Sequence, residues 1–123
     1  MFLLADNKNM EIRLSKKDDF VLTKTFPKYV FVVHEKEETV SWCCVVLQKE
    51  NVYIEKICTK KEYRNQGKAR ELILFIKEFS KKEGYDKIKL HCEEFLIEFW
   101  ESHGFNLIED NLESPWFEME INI

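Results

Sequence analysis

The order of apolar and polar positions divides the chain into segments of two different periods. Residues 10–14, MEIRL, alternate as a short strand does. Three β-branched and aromatic runs follow at 29–35 (YVFVVHE), 39–47 (TVSWCCVVL) and 51–59 (NVYIEKICT), with only the polar turns KEE and QKE between them. That spacing predicts a meander of antiparallel strands. From Gly67 to Glu83 the period becomes helical, because Ala69, Leu72, Ile73, Ile76 and Phe79 fall on one stripe that Phe75 widens. Gly84 stands where such a helix ends. KIKLHC (87–92) returns to strand character, and EEFLIEFWESH (93–103) carries Phe95, Leu96, Phe99 and Trp100 at helical spacing before Gly104. Strands at 105–109 and 116–121 complete the pattern. Residues 15–28 leave room for one short helix, with Ser15 or Asp18 as N-cap and Pro27 as its stop. The predicted order is β-α-β-β-β-α-β-α-β-β, an α/β domain.

Composition adds limits to this picture. A chain of 123 residues suits a single domain, 1–123, and its ten Phe, three Trp and four Tyr supply ample core. Three glycines and two prolines leave no linker. A net charge of −4 argues against a general nucleic-acid binder, which shows a basic face. No run approaches the ~20 apolar residues of a membrane span, and MFLLADNKN lacks the basic lead of a secretory leader. A cytoplasmic protein that meets neither membrane nor nucleic acid is the expectation. Cys43, Cys44, Cys58 and Cys92 form no C-x-x-C pair and sit in strand-like runs, so they read as free, reduced core thiols. His34, His91 and His103 are scattered, without metal-ligand spacing.

Chemistry enters at EYRNQGKARELI, residues 62–73. Gly67 is the one glycine that begins a helix instead of ending one. A strand that turns through glycine into a helix leaves the first helical N–H groups without partners, at the positive end of the helix dipole. A phosphate fits such donors, and Arg64, Lys68 and Arg70 add mobile positive charge to the rim. The stretch matches neither the P-loop nor the dinucleotide fingerprint. From the residues alone, an anion cradle and a solvated charged turn both stand.

RNQGKA also fits [RQ]-x-x-G-x-[GA], and FWESHGF is similar to an FYEKxGF block; both are motifs of the GNAT superfamily of N-acetyltransferases, here in the right order and on the right elements. The resemblance spans roughly residues 10–122. It implies a mixed, mostly antiparallel central sheet flanked by helices, in which two parallel strands, 52–59 and 87–92, splay to form an acyl-CoA cleft. Acetyl-CoA is then the co-substrate. Ile57, Cys58 and Thr59 would border the pantetheine arm, the backbone of Ile57 and Thr59 pairing with it. Arg64, Asn65, Gln66, Gly67, Lys68, Ala69 and Arg70 would form the pyrophosphate loop, with the N–H groups of Gln66 to Ala69 as its cradle. Within the superfamily, YIEKICTKKEYRNQGKARELI and KIKLHCEEFLIEFWESHGF look closest to glucosamine-6-phosphate acetyltransferases.

The implied reaction is direct acetyl transfer to a primary amine, which must lose a proton to attack. Glu55, at the place of the first acid of the family's IED strand, is the candidate base; its other reading is an ordinary solvent-facing strand residue. A backbone N–H of the splayed strand would donate to the thioester oxygen. Trp100 replaces the family's tyrosine, and an indole N–H is no useful acid near neutral pH. Trp100 therefore packs, against cofactor or core, and the thiolate is released either without a protein acid or with help from Cys92, Tyr85 or water. Lys56, His91 and Trp100 replace groups expected for a glucosamine 6-phosphate acceptor. The short 15–28 segment fits an open groove, a pocket completed by a second copy in a homodimer, or a large acceptor such as a peptide. The alternative is a catalytically weak or inactive acyl-CoA-binding module.

Overall fold

The computed structural model describes residues 2–4, 10–14, 28–109 and 115–123. Among the described residues eight strands form one sheet: β1 (Phe2–Leu4), β2 (Met10–Leu14), β3 (Lys28–Glu35), β4 (Glu38–Leu47), β5 (Val52–Thr59), β6 (Lys87–Cys92), β7 (Asn106–Glu109) and β8 (Phe117–Asn122). Their spatial order is β1-β2-β3-β4-β5-β6-β8-β7. Every neighbouring pair is antiparallel except β5–β6, which the helix α1 (Lys68–Lys82) joins by a crossover. A second helix, α2 (Ile97–Glu101), precedes β7. This is the α/β sheet expected from the sequence, with one strand more: β1 extends the sheet beyond β2, where no strand was predicted. The short helix expected over 15–28 lies outside the described residues except for Lys28, which instead begins β3.

The core lies between the sheet and α1. Leu72, Ile73, Ile76 and Phe79 are buried on the stripe the spacing marked, and Phe31 of β3 meets Phe75 and Phe79 edge-on at 5.4 and 5.1 Å. The helix expected over 93–103 is shorter. A 3₁₀ turn at Glu94–Leu96 comes first and only Ile97–Glu101 is α-helical. That tighter turn shifts the phase, so Phe95, expected on the apolar face, is 74% exposed. All four cysteines are free. Cys43 and Cys92 are buried, whereas Cys44 and Cys58 are only half-buried and so are not core thiols.

Two irregularities open the sheet at one place. Cys43 pairs with Ile57 and Val45 with Ile54, so Glu55 and Lys56 together face Cys44 across a bulge in β5. The parallel ladder to β6 runs from Val52↔Ile88 to Ile54↔Leu90 and stops there. Beyond Ile54, β5 stays with β4 while β6 stays with β8. The two central strands diverge from the residue at which the bulge begins.

Candidate functional site

A cleft of about 530 Å³ occupies the gap. Ile57, Cys58 and Thr59 form one wall, and Leu96, Phe99, Trp100 and His103 form the other. Its end is closed by Tyr63, Arg64, Asn65, Gly67, Lys68, Ala69 and Arg70. The hydroxyl of Ser41, on β4, donates to the carbonyl of Cys58 at 2.9 Å, so that residue's backbone turns toward β4. By strand alternation Ile57 and Thr59 turn the other way, toward the cleft. The Thr59 carbonyl already accepts a bond from Arg64 Nε at 3.1 Å.

The loop that closes the cleft is tightly wound. A 3₁₀ turn at Lys61–Tyr63 leads to Asn65 at φ 62° and Gly67 at φ 81°, both left-handed. The second of these turns the chain into α1, whose first capping bond runs from Glu71 N–H to the Gly67 carbonyl at 3.0 Å. The N–H groups of Lys68, Ala69 and Arg70 precede that bond and have no acceptor in the helical ladder. They stand at the positive end of a 15-residue helix, the place where an anion gains most.

The side chains on this rim differ in freedom. Lys68 is not mobile: its ammonium lies 2.6 Å from Glu35 at the end of β3, and the bond to that carboxylate raises its pKa. Gln66 does not line the cleft, and its amide donates to the Glu62 carbonyl at 3.2 Å. Arg70 is exposed and reaches into the cleft.

Glu55 also lies off the cleft lining. It is exposed at the bulge, with its carboxylate 3.4 Å from Lys28 Nζ. Since Tyr29, next to Lys28, packs on Phe79 of α1, Lys28 and Glu55 belong to the opposite face of the sheet. On that face Tyr53 and His91 are joined at 2.9 Å across β5 and β6. Burial, then Glu55 and Glu118, raise the Tyr53 pKa. A polar group of residues thus flanks the strand divergence on the side away from α1.

Trp100 is 3% exposed and meets Phe99 and Phe105 edge-on, each at 5.1 Å. It is at once a core residue and part of the cleft wall. Cys92 and Tyr85 are not at the site. Burial, then Glu93, raise the Cys92 pKa, and its sulfur contacts Met119; the Tyr85 hydroxyl donates to the Gln48 carbonyl at 2.7 Å. Sequence reasoning passed over Tyr63, Leu96, Phe99 and His103 as cleft residues. Tyr63 lies in the loop's own lead-in, EYR, and was findable; the other three come together only through the place of α2. Among the described residues, no group of three or more His, Cys, Asp or Glu side chains is arranged to hold a metal.

The family model described as Acetyltransferase (GNAT) family matches residues 4–105. The chain belongs to the GNAT acetyltransferase family. Solved GNAT structures share the fold at low identity. A GNAT family acetyltransferase from Elizabethkingia anophelis with acetyl-CoA bound superposes with TM-score 0.70 at 14% identity, over 95% of this chain and 100% of that one. The PaiA N-acetyltransferase from Thermoplasma acidophilum, in complex with coenzyme A, gives TM-score 0.72 at 15% identity, over 78% of this chain and only 61% of its own length. An aminoglycoside 6′-N-acetyltransferase complexed with coenzyme A gives 0.69 at 12% identity, over 77% and 72% of the two chains. At these identities the likeness is one of fold. No match was found among curated proteins. The comparisons lend no support to a closer likeness to glucosamine-6-phosphate acetyltransferases.

Proposed function

We propose that this GNAT protein is an acetyl-CoA-dependent N-acetyltransferase that transfers acetyl directly to a primary amine. The observation that carries the reading is one cleft that joins a strand edge covered by no other strand, at Ile57–Thr59, to the N–H groups at the start of α1 that lack a helical acceptor. A long ligand with a hydrogen-bonding arm and a pyrophosphate fits both ends at once. The coenzyme A and acetyl-CoA complexes of its structural relatives support that choice.

In this reading the backbone of Ile57 and Thr59 aligns pantetheine, and the loop from Gln66 to Ala69 holds the pyrophosphate with Arg64 and Arg70 at its rim. Apolar Phe99 and Trp100 exclude water from the arm. The thioester then sits where β5 and β6 part, with α1 on one side and the polar face on the other. The amine approaches from that polar face. Glu55 takes its proton through a water molecule as nitrogen attacks the carbonyl carbon. The C–N bond forms, a strand N–H stabilises the oxyanion, and the C–S bond breaks to release CoA thiolate. Neither Cys92 nor Tyr85 reaches this point, so the thiolate takes its proton from water.

The test is release of free thiol from acetyl-CoA by pure protein over a panel of small amines and peptides. Turnover on any of them supports the enzyme. CoA binding by calorimetry without turnover on the whole panel supports the inactive-module reading, which the buried indole of Trp100 in place of a tyrosine favours. Absence of binding heat at millimolar CoA would end both.

A further inference from the structure

His103 is a titratable cleft residue with no part in the reaction just described. It follows α2, and its ring meets Phe99 edge-on at 4.8 Å. Two cations of α1 face it. Arg70 lines the cleft beside it, and Lys77 donates to its carbonyl at 2.8 Å. Arg70 and Lys77 are seven residues apart on one helical face, so the basic line runs about 10 Å down the α1–α2 seam, away from the loop N–H groups. The pyrophosphate is served by those N–H groups. The seam offers a second place for negative charge, and CoA carries one further phosphate, on the ribose.

We propose that His103, flanked by Arg70 and Lys77 in the seam between α1 and α2, binds the ribose 3′-phosphate of CoA and makes the protein prefer CoA to its 3′-dephospho form. This rests on the reading of the cleft as a CoA site. In the free protein burial, then Lys77 and Arg70, hold the His103 pKa below its ordinary value, so the imidazole is neutral at pH 7. A phosphate arriving among the three groups reverses the charge around the ring. The imidazole then takes a proton from the buffer and becomes a charged donor to the phosphate. Binding of CoA is therefore coupled to proton uptake, and binding of the dephospho form is not.

The experiment is calorimetric titration of the full chain with CoA and with 3′-dephospho-CoA, at pH 7, in two buffers of different ionisation enthalpy. CoA is expected to bind about tenfold or more tightly, the difference that one charge-assisted contact makes. Its heat is expected to depend on the buffer, while that of the dephospho form does not. His103→Gln should remove both the buffer dependence and most of the preference. Equal affinities, or buffer-dependent heat that survives in His103→Gln, would overturn the assignment while leaving the CoA site intact. Failure of both ligands to bind would overturn it together with the site. The wild-type comparison of two ligands stands even where the variant folds poorly.

Discussion

Gly67 allows the loop's role in stability to be separated from its role in binding. The residue sits at φ 81°, and a Cβ built there meets nothing within 4 Å. Gly67→Ala therefore creates no collision inside the protein. Its cost is left-handed backbone strain, roughly 1–2 kcal/mol for a residue with a Cβ. Gly84, after α1, has φ 90° and equally open surroundings. It lies away from the cleft lining, so Gly84→Ala is a matched control. Both variants should melt lower by similar amounts, roughly 3–8 °C for a domain of this size. Only Gly67→Ala should also weaken CoA, because its methyl group projects into the space where phosphate meets bare N–H. Loss of one hydrogen bond to a charged group, about 1.5–3 kcal/mol, is roughly 10- to 150-fold in Kd. Thermal denaturation and calorimetry with CoA measure the two effects separately. If Gly67→Ala binds CoA as the parent does, or Gly84→Ala weakens it equally, the cradle is not at Gly67.

Three other outcomes follow from single residues. Glu55→Gln should lower turnover while acetyl-CoA affinity stays within about twofold; an unaltered pH–rate profile would assign the base elsewhere. The β3–β4 hairpin turns on Lys36 (φ 51°) and Glu37 (φ 68°), two side chains where such a turn prefers asparagine and glycine. Glu37→Gly is expected to raise unfolding stability by roughly 0.5–1 kcal/mol in a denaturant titration, and a decrease would refute the strain argument. Because the His103 pKa is depressed on folding, the unfolded chain takes up a proton near its ordinary pKa of 6.5 before the folded one does. Stability of the ligand-free protein should therefore be full above about pH 6.5 and fall below it, and His103→Gln should flatten that fall; a parallel decline in both proteins would remove the effect from His103.

Much of the fold was legible because its elements obey their own periods. The stripe from Leu72 to Phe79 named the buried face of α1, and the β-branched runs named β3, β4 and β5. The misses have physical causes. Strand β1 is three residues long, too short to display a period, and joins the sheet by pairing with β2. The α2 region has helical spacing in sequence, but its first turn closes as 3₁₀ and sends Phe95 outward. The β3–β4 turn at Lys36–Glu37 was found, but by the polar break KEE between two strand-like runs, since it carries no glycine or asparagine to announce its type. At the site, the loop's backbone role could be read from Gly67, whereas the pinning of Lys68 by Glu35 and the approach of His103 to Arg70 depend on contacts far apart in sequence.

The strand β5 shows how close the sequence came to the cleft itself. In VYIEKICT, Val52 and Ile54 are buried at alternate positions, and regular alternation would place the next inward residue at Lys56. The next apolar residue is Ile57, one position late. That slip is the bulge: Ile54 and Ile57 both face the core, and Glu55 and Lys56 both lie exposed between them. An extra residue in one strand increases its local twist and carries it away from the neighbour it does not follow. Here β5 follows β4, so the neighbour it leaves is β6, from Ile54 onward. The same extra residue thus frees the edge at Ile57–Thr59 and leaves Lys56 exposed next to Glu55, whose carboxylate ordinary alternation already places on the opposite face, beside Lys28. One slip in hydrophobic phase therefore opens the cleft at the residue beside the candidate base.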